Sequence, residues 1–369
     1  MNWLKVSVIN IFVLLALIIV CEIGLRFVWT GYQCYKGSCD FSRISKLKIT
    51  DSSRVGFTEN NIGITRYDPD LGYVPNPGFQ GVINEWNAKY VSIDENGFRE
   101  NNSNNKRFKF DNNLKILTVG ASATFGDEVN NDETWSACLE REMNQRVYNG
   151  GVSAYGAAQA IKRASLATQV HDIDTLIYSI YLNSAFRRDK NKFRSGWPRP
   201  AVVNINTVVN YADVPPITSI GIKYNPAKPK YPWLISIFDH SKILTRVKKL
   251  FGIDFTGMRR NEIHKNAATI NEIINFSISE FEKIDVKKKL IVFQYKEGNM
   301  YEEDQASSEM QHIRDQVLKL TQQKDIQVVD PYKSLYINSK DTSKKLWTKH
   351  YTPLGNKIVC REIIKTIKK

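Results

Sequence analysis

Cysteine and histidine are scarce here, five of each in 369 residues. Five cysteines are too few for a disulfide scaffold, and no Cys/His spacing resembles a metal site. No internal repeat or low-complexity tract appears, which argues against repeat arrays and biased-composition segments. Nor does any nucleic-acid-binding signature accompany the net charge of +14, which is spread along the chain rather than gathered in a tail. That charge reads as a solvated basic surface, or as attraction to anionic lipid headgroups or an acidic polysaccharide.

Long apolar runs are also rare, and the one present is N-terminal. Val6 to Val20 carries no charge and only two polar side chains, Ser7 and Asn10. With Trp3, Leu4 and Ile23–Leu25 it reaches the ~20 residues that cross a bilayer. Lys5 precedes it, so the remainder is expected outside the cytosol. No small-x-small cleavage site follows, and the segment reads as an uncleaved signal anchor over residues 1–26. Glu22 and Arg26 stand one helical turn apart at the membrane exit. Just beyond, Cys34 and Cys39 flank a Tyr-Lys-Gly-Ser turn and are candidates for a small-loop disulfide in an oxidising compartment. Cys138 and Cys360 lie in apolar helical patterns and read as buried core thiols.

Residues 27–110 are rich in Gly, Pro, Asn and aromatics, with turn-forming runs at Tyr67–Tyr73 and Pro75–Gly78. They predict an irregular or β-rich lead-in packed on the main domain. From residue 111 to 369 strands and helices alternate. Strands are predicted at Leu114–Val119, Arg146–Tyr148, Thr175–Tyr181, Lys289–Tyr295 and Ile326–Val329. Helices are predicted near 133–144, 156–169 and 307–322, with a last one opening at Thr352-Pro353. Such alternation argues for an α/β fold with three layers, a mostly parallel sheet between helices. A Pro- and aromatic-rich insertion interrupts it at about 187–265.

In open α/β sheets, sites form at the carboxyl ends of strands. The first strand runs into Gly120-Ala121-Ser122-Ala123-Thr124-Phe125-Gly126, a turn that presents a hydroxyl at a helix start beside free backbone N–H groups. The second ends in Asn149-Gly150-Gly151, the third in Tyr181-Leu182-Asn183, another in Asp330. The loop before the last helix supplies His350.

In this order the blocks resemble the SGNH (GDSL-type) hydrolase family. Gly120, Ser122, Thr124 and Gly126 match its Gly-Asp-Ser-x-Thr-x-Gly block. The likeness to membrane-anchored bacterial members extends to Glu22…Arg26, to the Asp-Leu-Gly-Tyr and Asn-Pro-Gly runs, and to Asn96-Gly97-Phe98-Arg99. The resemblance implies Ser122 as nucleophile and His350 as general base. It implies an oxyanion hole from the Ser122 N–H, the Gly151 N–H and the Asn183 amide. It departs at Ala121 and Ser184, which replace aspartates beside the chemistry, and at Trp347, which stands where the triad aspartate belongs. A Ser–His dyad oriented by a backbone carbonyl, or a carboxylate from Asp330 or Asp341, would then serve. Trp347 at the rim would stack on a sugar ring.

The implied activity is that of a membrane-anchored extracytoplasmic serine esterase removing O-acyl groups, O-acetyl foremost, from cell-surface or exported glycan. The alternatives are an O-acyltransferase using the same site and an inactive scaffold binding glycan or an envelope partner. The implied location is the bacterial inner membrane as a single-pass protein. Expected partners are the acylated glycan, the membrane through the N-terminal helix, and envelope polysaccharide-assembly proteins. No metal or cofactor is expected, and no nucleic acid.

Overall fold

The computed structural model describes Leu17 and residues 63–102, 110, 114–182, 184–194, 197–215, 262–299, 308–341 and 343–368. Apart from Leu17, the predicted membrane anchor lies outside the described residues, as does the Cys34/Cys39 pair. Among the described residues no helix is long and apolar enough to cross a membrane.

Two antiparallel hairpins come first. The strands β1 (Thr65–Asp68) and β2 (Gly72–Pro75) pair through Arg66↔Val74, and β3 (Gln80–Ile83) and β4 (Lys89–Ser92) through Gly81↔Val91. The first turn is tight because Asp68 Oδ1 accepts from the N–H groups of Asp70 and Leu71. Gly72 closes it at φ +81° with Pro198 O so near that a Cβ would sit 2.0 Å away.

The centre is a five-stranded parallel sheet. Strand β5 (Lys115–Val119) leads to helices α1 (Ser122–Phe125) and α2 (Trp135–Met143) and to β6 (Arg146–Asn149). Helix α3 (Ala157–Val170), β7 (Thr175–Tyr181) and the short α4 (Ala185–Arg188) follow. Next come five short antiparallel strands: β8 (Asn191–Arg194), β9 (Trp197–Pro198), β10 (Val202–Ile205), β11 (Val208–Tyr211) and β12 (Glu262–Ile263). They are what the described part of the 187–265 insertion forms. Helix α5 (Ile270–Lys283) returns the chain to β13 (Lys288–Gln294), α6 (Ser308–Thr321), β14 (Gln327–Val329), α7 (Tyr332–Ser339) and α8 (Pro353–Ile367).

The sheet order is β14-β13-β7-β5-β6. Strands β7 and β13 are continuous apolar runs buried on both sides, Leu176–Tyr178 and Leu290–Phe293 at 0% exposure, as a helix-covered parallel strand requires. From β5 the chain steps to β6 on one side, then crosses back over β5 to β7 and continues outward to β13 and β14. Right-handed crossovers therefore put α2 on one face and α3 on the other. Packing agrees: α2 lies against α8, and α3 against α5, which in turn meets α6. The reversal makes the gap between β5 and β7 the topological switch point, where sites form in open sheets.

All five predicted strands are present. Helices α4, α5 and α7 were not anticipated. One expectation is corrected outright. Cys138 on α2 and Cys360 on α8 are not separate thiols but a disulfide, spanning 222 residues with Cα atoms 6.1 Å apart. The buried faces that made each look like a core thiol are the faces that pack on each other.

Candidate active site

The turn after β5 is built around close backbone approach. A Cβ on Gly120 would fall 2.3 Å from Thr124 Oγ1 and 2.9 Å from Ser179 O, so only glycine lets the chain leave the sheet here. Helix α1 then starts on an extended Ala121 with no capping side chain. The N–H groups of Thr124 and Phe125 donate to Ala121 O, and those of Gly126 and Asp127 to Ser122 O. The N–H groups of Ser122 and Ala123 have no acceptor among the described residues, the expected state of a first helical turn without a cap. Ser122 is half-buried, while Ala123, Thr124 and Phe125 are buried behind it. Gly126 ends the turn at φ +92°, where a Cβ would meet Thr134 Cγ2 at 2.4 Å.

The loop after β6 is stitched to the back of this turn. Val152 N–H donates to Gly120 O at 3.0 Å and Asn149 Nδ2 to Phe125 O at 3.3 Å. A Cβ on Gly151 would lie 2.3 Å from Phe125 N. The N–H of Gly151 donates to Asn149 Oδ1 at 3.1 Å, so in this arrangement it is engaged rather than facing a cleft. Fully buried Arg99 clamps the other end of α1. Its guanidinium donates to Phe125 O (2.8 Å), Gly126 O (2.5 Å), Val129 O (2.7 Å) and Asn131 Oδ1 (3.1 Å).

His350 reaches the same turn from the far end of the chain. Its Nε2 lies 3.8 Å from Asp127 Oδ2 and its Nδ1 3.7 Å from Glu128 Oε1. Glu128 Oε2 accepts from the N–H groups of Lys349 (3.1 Å) and His350 (3.3 Å) and from the Thr348 hydroxyl, fixing the histidine loop to the turn. Asp127 accepts from the Ser153 hydroxyl through Oδ1. No hydrogen bond joins Ser122 and His350 among the described residues. The imidazole sits instead on the two carboxylates that follow the α1 turn.

These neighbouring acids are driven in opposite directions. Burial pushes the Asp127 carboxyl above its ordinary range, against the charge of His350 and the Ser153 hydrogen bond. Burial also acts on Glu128, but the Thr348 hydroxyl, the Lys349 and His350 N–H groups and the charge of His350 outweigh it. The Glu128 carboxyl is held below its ordinary range.

Asp127, Glu128 and Ser153 were all missed from sequence. The available signal was the pair of acids directly after Gly126, at the end of the serine block. The acids that were considered lie elsewhere. Asp330 accepts from Tyr295 Oη (2.8 Å), Arg314 Nε (2.7 Å) and Tyr332 N–H (3.0 Å). Asp341 holds Ser343 and Lys344 at the surface. The expectation for Trp347 is corrected: it is 4% exposed, packs beside Tyr351 and donates from Nε1 to Tyr295 O at 3.2 Å. A core side chain of this kind offers no face to a sugar. Asn183 lies outside the described residues; its neighbour Leu182 is buried just past the end of β7, beside the switch point. Among the described residues no cluster of His, Cys, Asp and Glu is placed to hold a metal ion.

No protein-family model matches the chain, and neither does any curated protein. Solved structures do. The chain is similar to a member of the lipolytic protein G-D-S-L family from Veillonella parvula DSM 2008, with 11% identity and a TM-score of 0.39, over 69% of this chain and 99% of that one. It is similar to Axe2, an acetylxylan esterase from Geobacillus stearothermophilus, with 12% identity and a TM-score of 0.39, over 72% and 97%. LAE5, an alpha/beta hydrolase enzyme from the metagenome of Lake Arreo, Spain, matches at 10% identity and a TM-score of 0.39, over 71% and 97%.

Proposed function

We propose that the chain is a serine esterase acting outside the cytosol on O-acyl, chiefly O-acetyl, groups of a cell-surface or exported glycan. The observation that carries this reading is the α1 turn at the switch point. It offers a half-buried Ser122 and, at its own start, two N–H groups without an acceptor among the described residues, and His350 arrives on the residues that follow it. Ser122 Oγ attacks the ester carbonyl while its proton passes to His350 Nε2. The tetrahedral oxyanion is held by the Ser122 N–H and the Asn183 amide, each donor contributing about 3–4 kcal/mol where such groups have been measured. The proton returns to the departing sugar alkoxide, and water then releases the acyl group by the same steps in reverse order.

Location follows from separate features. The apolar run from Val6 to Val20, with Trp3, Leu4 and Ile23–Leu25, suits a single membrane anchor, and the Cys138–Cys360 disulfide suits an oxidising compartment. Replacing water by a sugar hydroxyl as acceptor makes the same site an acyltransferase.

The test is to incubate the purified full chain with an acetyl ester, with and without acceptor sugar, beside Ser122→Ala and His350→Ala. Acetate released by the wild type and lost in both variants supports the esterase, and acetylated sugar moves the assignment to transfer. No turnover, no labelling by a serine-directed phosphonate, and retained glycan binding would overturn catalysis in favour of an inactive binding scaffold.

A further inference from the structure

We infer that Glu128 is the carboxylate that orients His350, supplied from the nucleophile's own loop in place of the acid absent at Trp347. This rests on the esterase reading and names the positioning residue that reading lacks. A general-base histidine needs an acceptor on the nitrogen away from the serine, to fix its tautomer and to balance the charge it gains. Here His350 Nδ1 is buried and without a hydrogen-bond partner among the described residues, and Glu128 Oε1 faces it at 3.7 Å. A closure of under about 1 Å brings this to ordinary hydrogen-bond length.

Three further observations separate Glu128 from its rivals. Its other oxygen already accepts from Thr348, Lys349 and the N–H of His350 itself, so the carboxylate and the loop that carries the ring move together. Asp127 faces the opposite nitrogen, Nε2, which must be open to Ser122, and its second oxygen is taken by Ser153. Asp330 and Asp341 are engaged elsewhere. The backbone adds a fourth point. Glu128 sits at φ +71°, left-handed backbone that favours glycine, yet a carboxylate stands there. The cost is consistent with a side chain required at that place.

In the proposed step Nδ1–H donates to Glu128 Oε1 throughout. The Ser122 Oγ–H bond breaks as its proton binds Nε2, and Oγ bonds the carbonyl carbon. The imidazolium is balanced by the Glu128 charge until the proton leaves with the alkoxide. Among the described residues, the charged groups placed against the His350 ring are Asp127 and Glu128, which follow the α1 turn, and Lys349 is its chain neighbour.

The experiment compares the full chain with Glu128→Gln, Glu128→Asp and Asp127→Asn. Glutamine keeps a carbonyl for the three loop donors, so a purely structural Glu128 would tolerate it. Expected is a fall in kcat of about 10²–10⁴-fold for Glu128→Gln with KM little changed, partial recovery in Glu128→Asp, and an acid limb of kcat/KM moved to lower pH. ¹⁵N-histidine spectra, assigned with His350→Gln, should show the Nδ1–H tautomer in the wild type and its loss of dominance in Glu128→Gln. A folded Glu128→Gln with unchanged kcat and acid limb, while Ser122→Ala and His350→Ala are dead, overturns this inference and leaves the esterase standing. Activity surviving in Ser122→Ala overturns the esterase instead. The wild-type tautomer then still decides Glu128, as it does if Glu128→Gln does not fold: an Nε2–H form excludes it.

Discussion

Cys138 and Cys360 are joined across 222 residues, so the last helix is covalently fastened to the helix that follows the serine turn. The link closes nearly the whole described α/β sheet into one loop, with Trp135 N–H and Asn356 Oδ1 hydrogen-bonded at 3.1 Å on the same pair of helices. His350 lies in the loop held by that helix pair.

Because the loop is long, opening it should cost much. Chain-entropy reasoning puts the stabilisation at roughly 5 kcal/mol, an upper figure that a partly structured unfolded state reduces. Cys138→Ser/Cys360→Ser should therefore unfold at markedly lower urea than the wild type. A reductant should lower the Tm of the wild type and leave that of the double variant unmoved.

Arg99 is fully buried and satisfies three carbonyls and one amide around α1. Arg99→Met keeps volume but removes the Arg99 donors from the Phe125, Gly126 and Val129 carbonyls, leaving Phe125 O only Asn149 Nδ2, Gly126 O only the Val129 N–H, and Val129 O no donor among the described residues. A loss above about 3 kcal/mol is expected in urea denaturation. Arg99→Lys should recover only part of it, since one ammonium cannot reproduce the fork.

Gly151→Ala tests the packing of the β6 loop on the serine turn. Its Cβ would fall 2.3 Å from Phe125 N, a backbone atom that cannot swing aside. Overpacking of this kind costs about 1–3 kcal/mol. Since the displaced element is α1, the proposed esterase activity should fall by more than the change in melting temperature explains; equal losses would place the effect in stability alone.

Asp189 provides a pH dependence away from the site. It is buried, accepts from the N–H groups of Ala158 (3.0 Å) and Gln159 (3.3 Å), and burial pushes its carboxyl to about 6 against the Arg199 charge. Raised in the fold relative to the unfolded chain, it binds its proton more tightly when native. Stability from this group is thus present at low pH and declines as pH rises from the unfolded value, about 3.9, through 6. Asp189→Asn keeps an acceptor oxygen for the helix start. Melts from pH 4 to 7 should show a flatter profile in the variant; the same slope would exclude Asp189 as its source.

The sheet was legible because its strands are short apolar runs ended by polar or glycine residues, and Thr175–Tyr181 was placed to the residue. The last helix was legible from Thr352, which caps it by accepting from Gly355 N–H, and from Pro353 at its first position. What could not be read was which side chains meet. Trp347 looked like a rim residue because it precedes His350, yet the turn from Trp347 to Tyr351 folds both rings into the core. The acids beside His350 were hidden for the same reason. Their partner is 222 residues away, and nothing local to either segment records the pairing.

That long-range pairing also fixes an order of events in the life of the chain. The serine turn emerges from synthesis far ahead of the imidazole and of the second thiol that secures it. Until the segment that carries His350 and Cys360 has docked, Asp127 and Glu128 at the end of the serine turn have no imidazole against them. On the proposed assignment, ester cleavage would be withheld from every shorter nascent form, and full rigidity would wait on an oxidant. Maturation outside a reducing cytosol would then switch on chemistry and durability together.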